Sequence, residues 1–131
     1  MSDNYINVAS PSYPSTRMRR NRKTNWSRRL IEENRFSVND LILPIFITDG
    51  DKKTVVNSMP GVYRTPITQI IETVQEAKEL GIPAIALFPE TNTALKDEQG
   101  TEALNDKNLI CRATNLIKKN INDIGIITDV A

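Results

Sequence analysis

The chain has 131 residues, enough for one domain or for part of a larger one. Hydrophobic residues make up 39% of it, which predicts a folded core and excludes a wholly disordered chain. With one cysteine and no histidine, the chain by itself can form no internal disulfide, no Ser-His-Asp triad and no metal site of histidines or several cysteines. No apolar run approaches the roughly 18–20 residues that cross a bilayer, and the polar start lacks the apolar segment of a secretory signal, so we expect a cytoplasmic protein.

Charge is distributed unevenly along the chain. Residues 1–35 contain eight Arg and Lys against three Asp and Glu, whereas residues 36–131 contain nine against thirteen. This difference predicts a basic arm, residues 1–38, followed by a domain over residues 39–131. The basic cluster at residues 17–23 could contact phosphates, although a solvated or partner-facing run is the commoner meaning of such a stretch.

The arm carries one helical pattern. Two prolines favour an extended course over residues 1–16. Trp26, Leu30 and Ile31 are then spaced as on one face of a short helix over residues 25–34. The apolar face of such a helix requires a partner surface.

Three short apolar runs predict strands. The first, residues 41–47, is apolar throughout, which is typical of a strand buried on both faces of a parallel sheet. Pro44 conflicts with this prediction, because proline cannot donate to the sheet and usually lies on an edge or at a bulge. The second run covers residues 83–89 and the third covers residues 125–131.

Two amphipathic helices separate these strands. The first is predicted to begin at Pro66, with Thr65 as its N-cap, and to end at Gly81. The second is predicted to begin after Asn105 and contains Cys111, which we interpret as a small helix-face residue. Their apolar positions recur at intervals of three and four: Ile67, Ile70, Ile71, Val74, Ala77 and Leu80 in the first helix, and Leu109, Ile110, Ala113, Leu116 and Ile117 in the second.

The alternation of three strands with two helices predicts an α/β fold built on a parallel βαβαβ unit. A polar loop over residues 90–104 follows the second strand, and loops of this length are often functional. A closed barrel of such units needs about 250 residues, so the pattern indicates an unfinished topology.

Several motifs occur together and in one order: residues 13–22 (YPSTRMRRNR), 41–46 (LILPIF), 58–64 (SMPGVYR), 80–84 (LGIPA), 86–89 (ALFP) and 127–131 (ITDVA). In this order they closely resemble the N-terminal portion of the porphobilinogen synthase family, also called delta-aminolevulinic acid dehydratase. The resemblance covers less than half of a typical member. It implies the first part of a TIM (β/α)8 barrel, preceded by an extended arm with a short helix. The implied enzyme is a hydro-lyase that condenses two molecules of 5-aminolevulinate into porphobilinogen, with loss of water, in tetrapyrrole (haem) biosynthesis.

The same resemblance implies one site residue. Family members have an aspartate at the C-terminal end of the third strand, facing the active site, and Asp129 matches it. A carboxylate there could hold a substrate ammonium or assist proton transfer; alternatively, Asp129 only ends the strand and caps its turn. Two lysines that the family carries on later strands, one of which forms a Schiff base with substrate, have no counterpart in this sequence. We therefore expect the chain to be truncated and inactive alone.

A further implication concerns metal. Zinc-type members follow that aspartate, two positions later, with the first cysteine of a three-cysteine site, where this chain has Ala131. Alanine offers no lone pair to a metal, so the resemblance implies a full-length enzyme that uses magnesium and no cysteine-bound zinc. The magnesium ligands are expected beyond residue 131, with no metal or other cofactor bound by this chain.

The family's arm embraces a neighbouring subunit, which implies a homo-oligomer formed through the arm, with its arginines on the carboxylates and carbonyls of another protomer. We expect neither nucleic acid nor membrane as a partner. The alternative function is a non-catalytic interaction module that binds full-length subunits through its basic arm. A nucleic-acid-binding arm is the weakest alternative, since it depends on residues 17–23 alone.

Overall fold

The structure is a computed structural model that describes residues 12–17 and 19–129. The chain divides into two compact units, Met1–Arg35 and Phe36–Ala131. Among its described residues, the first unit has a 3-10 turn at Arg20–Arg22 and one α-helix, α1 (Asn25–Leu30).

Helix α1 is shorter than the predicted span of residues 25–34. Glu32 and Glu33 follow its C-cap, Ile31, and negative charges at the C-terminal end of a helix oppose its dipole. Trp26 and Leu30 are 65% and 77% exposed, so the apolar face that requires a partner is present and uncovered within the described residues of this unit.

The second unit contains a mixed sheet and two helices. In chain order its elements are β1 (Ile42–Thr48), β2 (Thr54–Val55), β3 (Tyr63–Pro66), α2 (Ile70–Glu79), β4 (Ala84–Pro89), α3 (Leu109–Asn120) and β5 (Gly125–Thr128). Within the described residues the strand order is β2-β3-β1-β4-β5. Strand β1 is parallel to β3 and β4, β4 is parallel to β5, and β2 is antiparallel to β3. The predicted βαβαβ unit is therefore β1-α2-β4-α3-β5, to which the structure adds β2 and β3.

Helices α2 and α3 cover one face of the sheet. The buried core consists mainly of alternate strand residues and the inner faces of these helices: Ile45, Ile47, Ile70, Val74, Ala77, Ile85, Leu87, Leu109, Ala113, Ile117, Ile121 and Ile124. Each fully buried aliphatic side chain contributes about 1.5–3 kcal/mol relative to an exposed one. The helix positions predicted from periodicity thus form the core, and the other face of the sheet, called the open face below, has exposed Ile42, Pro44 and Ile127.

The prediction that the first strand is buried on both faces is wrong for the described residues. Its side chains alternate between the helices and the open face; on the open face Ile42 and Pro44 are exposed, and burial increases only toward Phe46 and Thr48 at the end of the strand. An apolar run is compatible with a strand covered on both faces and with a strand covered on one face, so composition alone could not distinguish the two.

Pro44 fits within β1 without loss of a bond to β4. The Glu90 N–H donates to the Ile47 carbonyl at 2.8 Å, so Ile47 directs its backbone groups toward β4. Successive strand residues direct these groups to opposite sides, which turns the nitrogen of Pro44 away from β4. On that side β3 pairs only with residues 46–48.

Helix α2 begins later than predicted. Thr65 and Pro66 belong to β3, where they pair with Ile47 and Thr48. Pro66 has ψ 142°, an extended conformation, and a 3-10 turn at Ile67–Gln69 precedes the helix. A residue that precedes a helix and a residue at the end of a strand have the same extended backbone, so pairing with β1 decided between them.

Gly81 ends α2 as predicted. Its φ of 80° is left-handed, its N–H donates to the Lys78 carbonyl at 2.9 Å, and the Ile82 N–H donates to the Ala77 carbonyl at 3.0 Å. These two bonds satisfy carbonyls that the last turn of a helix leaves without partners.

The predicted N-cap of α3 is wrong by three residues. Asn108, rather than Asn105, accepts the Cys111 N–H on its side-chain oxygen at 2.8 Å. Asn105 instead accepts the Lys107 N–H in the preceding turn, so both asparagines stabilise turns and only one of them begins the helix. Cys111 lies in α3, half-buried, as predicted. In the described part of the chain, no helix is both long enough and apolar enough to cross a membrane.

Candidate active site at the strand ends

Two aromatic side chains lie on the open face near the C-terminal ends of the strands. Phe46 of β1 pairs in register with Phe88 of β4 and with Arg64 of β3. Directly paired residues of neighbouring strands point to the same face, so these three side chains form one row. The two rings stack, with centroids 5.4 Å apart and planes inclined by 30°.

Asp129 extends this row. Leu87 of β4 pairs with Thr128, the last residue of β5, so the next position along both strands sets Asp129 beside Phe88. Asp129 is exposed. The row Arg64, Phe46, Phe88 and Asp129 thus crosses four adjacent strands, with a cation at one end and a carboxylate at the other.

Glu90 follows β4 and links three strands. Its Oε2 accepts a hydrogen bond from the Thr48 hydroxyl at 2.7 Å, and its Oε1 lies 3.0 Å from Nε of Arg64. Thr48, at the end of β1, is buried, whereas the side chains of Arg64 and Glu90 are 32% and 45% exposed. Both oxygens of Glu90 are therefore engaged, next to the aromatic pair.

A second ion pair lies near the C-terminal end of β1. Arg112 of α3 donates from one terminal nitrogen to both carboxylate oxygens of Asp49, at 2.6 and 2.7 Å. Asp49 directly follows Thr48. The loop between β4 and α3 is thus attached at both ends to consecutive residues of the chain. Glu90, at its start, contacts Thr48, and Arg112, just after its end, contacts Asp49.

Within that loop, short turns are stabilised by side chains. The Asp97 carboxylate accepts the Thr101 N–H at 2.8 Å, and the Asn92 side chain accepts the Ala94 N–H at 3.0 Å. The Thr101 side-chain and backbone hydrogen bonds lower the pKa of Asp97 from 3.8, because they stabilise its charged form.

Sequence reasoning missed Arg64, Glu90 and Thr48. A signal existed for two of them: Arg64 ends the motif at residues 58–64, and Glu90 is the first charged residue after the second apolar run. Nothing local indicated that the two meet, because 25 residues separate them in sequence and the contact crosses β1.

The other sequence-based candidates lie elsewhere. The basic cluster belongs to the first unit, where Arg17 lies 5.7 Å from the ring centroid of Tyr13 and lines a cavity with that ring and neighbouring cations. Ala131, on which the metal prediction depends, lies outside the described residues. Residues 12–17 and 19–129 form no cluster of three or more Asp, Glu or Cys side chains that could hold a metal ion.

Parallel strands that alternate with helices, with charged side chains gathered at the strands' C-terminal ends, are the arrangement from which (β/α) barrels are built. The family model of delta-aminolevulinic acid dehydratase matches residues 15–131. The chain belongs to this family.

Similar proteins agree with this assignment. The delta-aminolevulinic acid dehydratase of Bradyrhizobium diazoefficiens is 46% identical over 126 residues, which are 95% of this chain and 36% of that protein. The Synechocystis sp. enzyme is 42% identical over 89% of this chain and 36% of its own length. The crystal structure of the Toxoplasma gondii enzyme with its product porphobilinogen superimposes with a TM-score of 0.81 at 35% identity, over 88% of this chain and 33% of that one.

The chain spans about a third of the length of these relatives. The predicted fold class is confirmed: its βαβαβ unit corresponds to part of the TIM barrel of this family.

Proposed function

We propose that the chain supplies the first strands of an enzyme that condenses two molecules of 5-aminolevulinate into porphobilinogen, with loss of water, in tetrapyrrole (haem) biosynthesis. The observation that carries the proposal is the row of Phe46, Phe88 and Asp129 at the carboxyl ends of three parallel strands. In barrel enzymes of this class, catalytic groups come from those ends of the strands. The Toxoplasma gondii relative, solved with porphobilinogen, is consistent with this chemistry.

Asp129 is the proposed catalytic carboxylate. The substrate carries a primary ammonium group, which a carboxylate can hold by charge and hydrogen bonding. The condensation also requires protons to be moved as new bonds form and water leaves, and a carboxylate within hydrogen-bond reach can accept or return one. The neighbouring ring of Phe88 provides an apolar side to the same position.

We also propose that the 131-residue chain alone forms no porphobilinogen. An imine-forming lysine needs a desolvated or positively charged pocket, and every lysine except Lys78 is exposed. Lys78 donates to the Asn122 carbonyl at 2.7 Å. It lines a cavity with Pro83 and Gly125, at the N-terminal ends of β4 and β5, which is the wrong end of the strands for the candidate site.

A chimera tests the proposal. Residues 1–131 replace the matching segment of the Bradyrhizobium diazoefficiens relative, and porphobilinogen formation from 5-aminolevulinate is measured. We expect turnover by the chimera, and neither turnover nor a borohydride-trapped adduct with the chain alone. A folded chimera without turnover would refute the proposed role, and a stoichiometric adduct on a lysine of the isolated chain would refute its inactivity.

Three finer proposals accompany the activity. The enzyme uses magnesium and no cysteine-bound zinc, because the position two residues after Asp129 is an alanine. It is cytoplasmic, and it forms a homo-oligomer through the arm. Restoration of a chelated enzyme by zinc alone would contradict the first of these.

The exposed face of α1 favours one alternative, a non-catalytic module that binds full-length subunits. Trp26 and Leu30 are exposed beside the basic cluster, a combination suited to an acidic and apolar protein surface. Mixing the chain with the full-length Bradyrhizobium diazoefficiens relative and measuring mass in solution tests it. A complex lost when Trp26 is replaced by Ala supports the module, and the absence of any complex rejects it.

A further inference from the structure

Arg64, Glu90 and Asp129 are charged side chains on the open face near the carboxyl ends of the strands. Arg64 and Glu90 neutralise each other at 3.0 Å, whereas Asp129 forms no ion pair with another described residue. The charge that this face presents to a ligand is therefore the negative charge of Asp129.

We propose that Glu90 is a positioning residue that neutralises Arg64, and that this makes the site selective for ligands carrying an ammonium group. The inference rests on the proposed function for its ligand class, an amino keto acid. It assigns a role to Arg64, at the far end of the row from Asp129, and to Glu90, which follows β4 and holds Arg64 across β1.

Arg64 has more N–H donors than its two contacts use, and Glu90 neutralises its charge. A guanidinium has five N–H donors and binds carboxylates through two parallel bonds. In the structure, Nε pairs with Glu90, and one terminal nitrogen donates to the Val55 carbonyl at 3.4 Å. Without Glu90, the uncompensated cation beside Phe46 would attract the carboxylate end of an amino keto acid, or any keto acid, equally well.

Glu90 is held in place against Arg64. Thr48 is buried, and its hydroxyl holds Oε2 of Glu90 at 2.7 Å. The Gly50 N–H donates to the same hydroxyl oxygen at 3.2 Å, which fixes the orientation of Thr48. Glu90 is thus the neutralising partner of Arg64, and Asp129 is the carboxylate that we assign to the ammonium.

The expected size of the effect follows from distance. Strands lie about 4.8 Å apart, so Arg64 and Asp129 are separated by about 14 Å across three strand spacings. A ligand ammonium between them lies roughly 10 Å from an unmasked Arg64. Repulsion at that distance near a protein surface changes affinity by about three- to tenfold.

The test is a pair of titrations followed by NMR on the 131-residue chain, with 5-aminolevulinate and with levulinate, the same keto acid without its amino group. The native chain should bind 5-aminolevulinate more tightly. Glu90→Gln should lower this preference by about three- to tenfold, Arg64→Gln should raise it, and the double variant should return it toward the native value. Glu72→Gln, an exposed charge change on α2, serves as the matched control and should leave the preference unchanged.

The ratio of the two affinities separates this role from a structural one, because a distorted site would weaken both ligands alike. No preference in the native chain, or equal effects of Glu90→Gln on both ligands, would overturn the inference. If Glu90→Gln does not fold, as judged by circular dichroism, Arg64→Gln decides alone: an unchanged or lower preference refutes the inference. These titrations need no turnover, so their result is independent of the porphobilinogen assay on the chimera.

Discussion

Arg112 and Asp49 join the first turns of α3 to the residue that follows β1, with contacts at 2.6 and 2.7 Å to both carboxylate oxygens. Thr48, the preceding residue, holds Glu90 at the other end of the intervening segment. Side-chain contacts at the end of β1 therefore hold together the two ends of the segment 91–111. The polar loop noted in the sequence is an attached element beside the candidate site.

Replacing Arg112 with Gln should loosen this base. The ion pair is partly exposed, so we expect a loss of no more than about 1 kcal/mol in the free energy of unfolding. Amide hydrogen exchange should accelerate in residues 91–108 and stay unchanged in β1 and β4. Equal acceleration throughout the sheet would contradict the local role assigned to the pair.

Replacing Asp129 with Asn should lower porphobilinogen formation by the chimera by about 10²–10⁴-fold, the usual contribution of a positioned acid or base. Because Asp129 is exposed, the melting temperature of the chimera should change little. Replacing Glu72 with Gln, an exposed charge change on α2, is the control. Activity within a few-fold of the parent would show that Asp129 only ends β5.

Replacing Ile47 with Ala should destabilise the second unit by about 2–5 kcal/mol, since Ile47 is fully buried between sheet and helices. Ile42→Ala, in the same strand but 54% exposed on the open face, should cost far less. Urea denaturation of the 131-residue chain measures both. Similar losses for the two variants would mean that the open face is covered in solution.

Replacing Gly81 with Ala should cost about 1 kcal/mol, because φ of 80° places a β-carbon against the following carbonyl. Space is not the cause: a β-carbon there would meet Val38 at 3.5 Å, an ordinary contact. Gly50→Ala has a similar nearest contact of 3.5 Å without a positive φ, and should be milder. Thermal unfolding that ranks the two variants in the opposite order would contradict this reasoning.

Asp97 should titrate below 3.8 in the folded chain, as followed by NMR of its side chain. A folded-state pKa below the unfolded one gives stability that is present above the unfolded pKa and lost as pH falls through the folded pKa. Order in the turn at Thr101–Leu104 should therefore decrease in acid. Thr101→Val removes the side-chain hydrogen bond that contributes most to the shift, and should raise the pKa of Asp97 toward its ordinary value.

Features that depend on neighbouring residues were predictable from the sequence. Helices α2 and α3 follow from apolar residues at intervals of three and four, since one face of a helix repeats at that spacing. Gly81 was identifiable as a helix end because only glycine adopts a left-handed conformation without strain. The sequence predicted Asp129 within a third strand over residues 125–131, whereas β5 ends at Thr128, and the assignment of Asp129 as a site residue came from resemblance to the family.

Features that depend on distant partners were decided by the tertiary structure. Strand β3 exists because residues 64–66 pair with β1; the same residues next to a helix would otherwise serve as its cap. The single covered face of β1 depends on where α2 and α3 pack, which an apolar run does not encode. The contact between Arg64 and Glu90 requires β3, β1 and β4 to be adjacent and in register. Local sequence patterns carry information about backbone conformation and amphipathic faces. Which charges pair when they are far apart in sequence is determined only by the folding that brings them together.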